Sequence, residues 1–300
     1  MRISLRQLEV FDAVCRLGSV TAAAQAVNLS QSAASQALAE LELALDGALF
    51  ARIGRRLLLN ERGEQLRAQA AELLERASTI EATLRGTTVV APTLRIAASR
   101  TVGGYLLPER LAAYLQAQPD ARIELAVMNT ETVVDEVASL RAVAGFVEGS
   151  VHRADVVAHR WSDDAMIVVA APSHPLVAQR PTVKRFAAAR WIMRERGSGT
   201  REMFEHAAQL AGFVPDVALE LGAPQAVVRA VAAGAGLGCM SRLVVGDALR
   251  RGDLVELPAP FLDLRRPLMV VLRRDAYVGA GLRALLDALA PGVVPARLRR

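Results

Sequence analysis

Cysteine, lysine and long apolar runs are what this 300-residue chain has least of. Two cysteines, Cys15 and Cys239, are too few for a disulfide framework and suit a reducing compartment. The longest apolar runs, such as residues 165–172, fall far short of the roughly 20 residues needed to span a bilayer. The N-terminal MRISLRQLEVFDAV is interrupted by Arg6, Gln7, Glu9 and Asp12, so it lacks the apolar core of a signal peptide. A cytoplasmic location away from membranes is therefore expected. His152, His159, His174 and His206 stand singly, and neither HExxH nor CxxC spacing occurs, so no metal or cofactor is expected. RGSGT does not have the spacing of a nucleophile elbow. GAGLG at 234–238 follows a helical stretch and leads into a strand, the reverse of a dinucleotide-binding turn, and reads as a helix stop. An enzyme is not expected.

Charge is also missing locally. No Lys, Arg, Asp or Glu lies between Leu17 and Ala39, although the chain carries a net +5. Lys184 is the single lysine among 36 basic residues, so the basicity is arginine and hints only weakly at an acidic partner. Hydrophobic residues make up 52% of the chain, enough for two or three domains with real cores and against long disorder.

Residues 1–60 read as short helices with tight turns. Leu8, Phe11 and Val14 or Cys15 share one face of a helix over 5–16. Gly18 ends it, and Ser19 caps a slim helix over 20–27 containing Ala22, Ala23 and Ala24. Asn28 suits a left-handed position, and Ser30 caps the next helix. In that helix Ala34, Leu38, Leu41 and Leu45 form an apolar stripe, with Gln31, Ser32, Ser35 and Gln36 off it. Two short helices across a turn of about four residues match a helix-turn-helix. LFARIGRRLLLN then reads as a hairpin, with Arg52, Arg55 and Arg56 clustered around Gly54 as a wing.

Residues 61–88 are a linker helix and its exit. Leu66, Ala70, Leu73, Ala77, Ile80 and Leu84 follow one another at intervals of 4, 3, 4, 3 and 4, an a/d seam about 40 Å long. The seam is expected to pair two chains. From 89 to 300 strands and helices alternate, which predicts an α/β sheet with helices on both faces. LRIAAS, RIELAVM, AGFVEG, 161–172, RWIMRE, DVALELG, LGCMS and RPLMVVLRR are the strands; 105–117, 133–140, 200–211, 225–233 and 279–289 are the helices. ERGSGTRE and ASRTVGG each place small polar residues between a strand and a helix, where backbone N–H groups can face an anion. Two such termini at the carboxyl ends of strands make a ligand cleft.

The N-terminal stretch GSVTAAAQAVNLSQSAASQALAELE…LFARIGRR…N..G resembles the LysR-type transcriptional regulators. Ser19, Thr21, Ala23, Ala24, Ser30, Gln31, Ala33, Ser35, Leu41, Glu42, Leu49, Phe50, Arg52 and Gly63 match the family pattern. EGS and GSGTRE resemble the subgroup that includes regulators of sulfur assimilation and carbon fixation. The resemblance covers the whole chain. It implies a multidomain α plus α/β protein: a winged helix-turn-helix (1–60), a linker dimerisation helix (61–88) and a periplasmic-binding-protein-like effector domain (89–300). Lobe I of that domain is expected over about 91–164 and 268–300, and lobe II over about 165–267, with crossings near 166–170 and 267–270.

On this resemblance Thr21, Ser30, Gln31, Ser32, Ser35 and Gln36 approach double-stranded operator DNA, where amides and hydroxyls can both donate to and accept from base edges. Arg52, Arg55 and Arg56 hold phosphates. Ser99, Arg100, Thr101, Asn129, Thr130, Gly199, Thr200 and Gln225 are expected to line a cleft for a small, anionic metabolite. The implied partners also include a second copy of the chain, as dimer or tetramer, and RNA polymerase. The resemblance also implies repression of its own promoter with activation of a divergent operon. Basic residues common in the family are replaced by Ala22, Ala26, Gln36 and Ala39, and Leu-Gly-x-Pro reads Leu45, Asp46, Gly47, Ala48. Arg100 replaces a small polar residue, and Val143 an Asp. The alternative is a cytoplasmic small-molecule-binding protein whose cleft is its main function. An exported solute-binding protein would need a signal peptide and no wing, and a cysteine-pair redox sensor is disfavoured because the two cysteines fall in different domains.

Overall fold

The computed structural model describes residues 2–53, 56–85, 93–274 and 276–293. The chain forms two compact units, residues 1–91 with 275–280 and residues 92–274 with 281–300. In the first unit α1 (Leu5–Leu17), α2 (Val20–Ala26) and α3 (Gln31–Ala44) precede a hairpin of β1 (Phe50–Ile53) and β2 (Arg56–Leu59), followed by α4 (Glu61–Arg85).

Local chemistry sets each boundary. Ser4 Oγ accepts from the Gln7 N–H while Gln7 Oε1 accepts from the Ser4 N–H, a capping box that opens α1. Gly18 ends α1 at φ 65°, and Ser19 Oγ accepts from the Ala22 N–H to start α2. Asn28 takes φ 54°, and Ser30 Oγ accepts from the Ala33 N–H at 3.1 Å to start α3. Leu8, Phe11, Val14, Ala34, Leu38 and Leu41 close into one core. Val10 and Ala13 are buried as well, because α2, α3 and α4 all pack on α1. β1 and β2 pair antiparallel from Phe50–Leu59 to Ile53–Arg56, the expected wing. Arg55 and the side chains of Arg52 and Arg56 lie outside the described residues. Asn60 caps α4 by accepting from the Gly63 N–H at 2.9 Å. A Cβ on Gly63 would sit 2.2 Å from the Leu49 carbonyl oxygen, so the close approach of α4 to that turn requires glycine.

The linker seam is corrected at its start. Ala70 is buried in the α1–α4 core, and Leu66 packs against it. Ala70 is covered by its own domain and Leu66 in part, because the first turns of α4 lie on α1. Leu73, Ile80 and Leu84 remain 45%, 59% and 82% exposed, with Ala77 half-buried.

The second unit begins β3 (Leu94–Ser99), α5 (Arg100–Tyr105), α6 (Leu107–Ala117), β4 (Ile123–Met128), α7 (Thr130–Ala138) and β5 (Ala144–Glu148). The long strand β6 (Val156–Ala170) leads to a 3-10 turn at Pro175–Ala178, α8 (Val183–Ala187), β7 (Arg190–Arg194) and α9 (Gly199–Leu210). Next come β8 (Asp216–Leu221), α10 (Pro224–Ala232), β9 (Gly238–Ser241), α11 (Arg242–Arg251) and β10 (Val255–Leu257); β11 (Arg265–Arg273) and α12 (Ala280–Leu289) close the fold. β3 lies between parallel β4 and β5, and β11 joins β5 to β6 antiparallel. β6 follows β11 as far as Ala165, then pairs from Met166 onward with β9 and β10. The chain therefore crosses between lobes at 165–166 and 264–265, slightly before the expected positions, and the Met166 N–H donates to the Leu264 carbonyl there at 2.9 Å.

Other departures have local causes. The helix expected over 105–117 is α6, which starts at Leu107 with Pro108 in its first turn, and the short α5 precedes it, capped by Ser99 Oγ accepting from the Val102 N–H. β6 starts at Val156 because β11 supplies partners that far back. α8, α11 and β10 were not expected.

Candidate functional site

The uncharged face of α3 is open. Ala34, Leu38 and Leu41 turn inward, while Gln31, Ser32, Ser35 and Gln36 are exposed, as are Ser30 and Thr21. Ser30 and Ser32 hydroxyls lie 3.0 Å apart, and the Gln36 amide reaches Glu40. Residues 31–36 thus present mixed donors and acceptors, with Glu40 one turn on as the nearest charge of the helix.

In the second unit, strand ends and helix starts converge on one buried polar cluster. Ser99, last in β3, donates its hydroxyl to Glu148 Oε2 at the end of β5. Thr200, in the first turn of α9, donates to Glu148 Oε1 at 3.3 Å and accepts from Arg266 Nη1 at 2.9 Å. Arg266 Nη1 lies 3.8 Å from Glu148 Oε1, and Arg266 Nε donates to Asp164 Oδ2 at 2.8 Å. Ser241, the cap of α11, donates to the other Asp164 oxygen at 2.9 Å. Glu148, Ser99 and Arg266 are each 1% exposed. Arg266 thus sits where both carboxylates are withdrawn from water, and it offsets them.

Further bonds cross from lobe to lobe. The Gly199 N–H donates to Thr130 Oγ1 at 3.1 Å, and the Glu131 N–H donates to the Gly197 carbonyl at 3.1 Å. Arg100 lies 3.5 Å from Glu195, which Arg194 also grips through two bonds of 2.7 and 2.8 Å. Gln225 donates to the Tyr105 hydroxyl.

Ser99, Thr130, Gly199 and Thr200 are therefore brought together as the sequence suggests, with Thr101 buried beside them. Asn129 plays a different part: its Oδ1 accepts from the Thr132 N–H and hydroxyl, so its carbonyl caps α7. Gln225 is exposed and engages Tyr105 outside the buried cluster. Arg100 is held by Glu195. Glu148, Asp164, Ser241 and Arg266 escaped sequence reasoning, as did Ser198. Ser198 is 1% exposed at the start of α9, with no hydrogen-bond partner for its hydroxyl among the described residues. The detectable signal for Glu148 was a carboxylate ending the otherwise apolar AGFVE strand.

Burial holds the Glu202 carboxyl above its ordinary range, helped by the Glu131 and Glu205 carboxylates. Burial also pushes the Cys15 thiol up to about 12 and raises that of Cys239. Neither thiol is reactive thiolate near neutral pH.

The pattern described as "Bacterial regulatory helix-turn-helix protein, lysR family" matches residues 5–64, and that of the "LysR substrate binding domain" matches residues 87–293. The chain is 41% identical over 297 residues to the uncharacterized HTH-type transcriptional regulator YeiE of Escherichia coli (strain K12), covering 98% of this chain and 100% of that one. It is 33% identical to the RuBisCO operon transcriptional regulator of Allochromatium vinosum, over 91% of each chain. The fold matches that of full-length LysG of Corynebacterium glutamicum with bound effector Arg, at a TM-score of 0.70 over 96% of both chains and 17% identity. Together with the open polar helix and the two-lobed α/β unit, these matches establish that the chain belongs to the LysR family of DNA-binding transcriptional regulators and is not an enzyme.

Proposed function

We propose that α3 enters the major groove and reads base edges with Gln31, Ser32, Ser35 and Gln36, while Thr21, Ser30 and the wing arginines Arg52, Arg55 and Arg56 hold the backbone. The regulator acts in the cytoplasm as a dimer or tetramer, paired through the outward stripe of α4, and engages RNA polymerase. A compact anionic effector binds between the starts of α5 and α9. LysG, solved with arginine, supports a small-molecule effector for this fold.

The observation that carries the anionic reading is Glu148. Its carboxylate already rests on the Ser99 and Thr200 hydroxyls beside Arg266. An effector oxyanion can use those same donors once the Glu148 side chain withdraws, and the free Ser198 hydroxyl adds another. Like charge makes simultaneous occupancy by Glu148 and an anion unfavourable. Thr200→Val removes a hydroxyl and preserves shape. Calorimetric titration with sulfate, phosphate and short carboxylates should find the anion that wild type binds, and the variant should bind it about tenfold more weakly. Operator binding without effector should persist. Equal anion affinity in the variant would move the site elsewhere.

A further inference from the structure

On the reading that Gln36 faces a base, we infer that Glu40 is a specificity-positioning residue that fixes which half of the Gln36 amide DNA meets. Gln36 and Glu40 are one turn apart on α3, and Gln36 Nε2 donates to Glu40 Oε1 at 2.9 Å. The second Glu40 oxygen is also occupied, by Gln7 Nε2 from α1 at 3.2 Å. Gln7 is itself oriented, because its Oε1 accepts from the Ser4 N–H at 2.9 Å. Hydrogen-bond polarity is thereby set from the cap of α1 through Gln7 and Glu40 to Gln36.

The direction follows from elementary chemistry. A carboxylate has only acceptors, so the Gln36 amide must turn its NH2 toward Glu40. A freely rotating glutamine can exchange its carbonyl and amino ends, and so can meet a donor or an acceptor on a base. A pinned one cannot flip: one N–H of its amino group is spent on Glu40, and its Oε1, which accepts from none of the described residues, stays fixed beside the remaining N–H. In the major groove the donors that an acceptor can read are adenine N6 and cytosine N4. Guanine presents O6 and N7, and thymine O4, all acceptors. The carboxylate of Glu40 further disfavours an acceptor-rich edge nearby. With its acceptor fixed, the pinned amide favours a base that offers a donor, adenine or cytosine, and its remaining N–H suits adenine, whose N7 accepts beside the N6 donor.

Selection from a randomised duplex library with the full-length protein tests this whatever the operator sequence is. Wild type, Glu40→Ala, Gln36→Ala and the double variant are compared by base preference at each position. Glu40→Ala should flatten the adenine-or-cytosine preference at one base pair per half-site by roughly tenfold. Gln36→Ala should flatten the same base pair, and the double variant should resemble Gln36→Ala alone. A general structural role would instead alter affinity for all sequences alike and leave the profile's shape intact. If Gln36→Ala changes the profile and Glu40→Ala does not, the positioning role is overturned while α3 remains the reader. If Gln36→Ala leaves the profile unchanged, the contact between Gln36 and a base is overturned, and the role of Glu40 with it.

Discussion

Arg266→Met is expected to destabilise the effector domain by about 3–5 kcal/mol, the cost of leaving buried carboxylates without their partner. Arg266 is 1% exposed and touches Asp164, Thr200 and Glu148, which come from three different strands and helices. Methionine fills similar volume, so the loss isolates charge and hydrogen bonding rather than a void. The measurement is favourable because both tryptophans, Trp161 and Trp191, lie in this unit. Their fluorescence in a denaturant titration therefore reports on it alone. Arg265→Met is the control: that side chain is exposed and pairs with Asp263 at the surface, so the change should stay within about 0.5 kcal/mol. A loss below about 1 kcal/mol in Arg266→Met would show that Asp164 and Glu148 do not depend on the guanidinium.

Ile80→Asp should separate the protein into monomers. Leu73, Ile80 and Leu84 stand exposed along the outer part of α4, seven and four residues apart, while Ala70 is already covered and Leu66 partly so. An aspartate in a dry helix–helix contact has no partner for its charge. Light scattering should halve the mass or more. Apparent affinity for a two-half-site operator should fall by about 100-fold or more, because the second half-site is no longer bound intramolecularly. A variant of unchanged mass would place the pairing surface elsewhere.

The sequence made the first unit legible almost residue by residue. Ser19, Ser30, Gly18 and Asn28 take the caps and left-handed turns their chemistry demands. The same spacing rule that revealed the linker helix could not tell which turns its own domain covers. Leu66 and Ala70 carry the same heptad signature as Leu73 and Ile80, and only the packing of α1 distinguishes them. α11 was hidden because it follows β9 with no loop, and Ser241 serves both as the strand's end and as the helix cap. Its adjacent Val244 and Val245 also suit a strand.

The cleft was half legible for a related reason. Ser99, Thr130, Gly199 and Thr200 announce themselves at strand–helix junctions, where hydroxyls and glycine have recognisable uses. Arg266 does not, since it stands beside the exposed Arg265 and only strand alternation turns it inward. Its partners Glu148 and Asp164 are distant in sequence, and no spacing rule links them. Asn129 shows the converse: its Oδ1 is engaged in capping α7, a use that the sequence alone does not separate from contact with a ligand.

Paired salt titrations of wild type and the double variant Gln31→Ala/Ser35→Ala, on operator and on random DNA, test the central claim most directly. These substitutions remove an amide and a hydroxyl from the exposed face of α3 and change no charge. Phosphate contacts govern the salt slope, whereas base contacts govern discrimination. The expected result is an unchanged slope, unchanged affinity for random DNA, and an operator preference reduced by at least about tenfold, as one or two lost base contacts would give. An operator preference equal to wild type would contradict the assignment of α3 as the element that reads sequence.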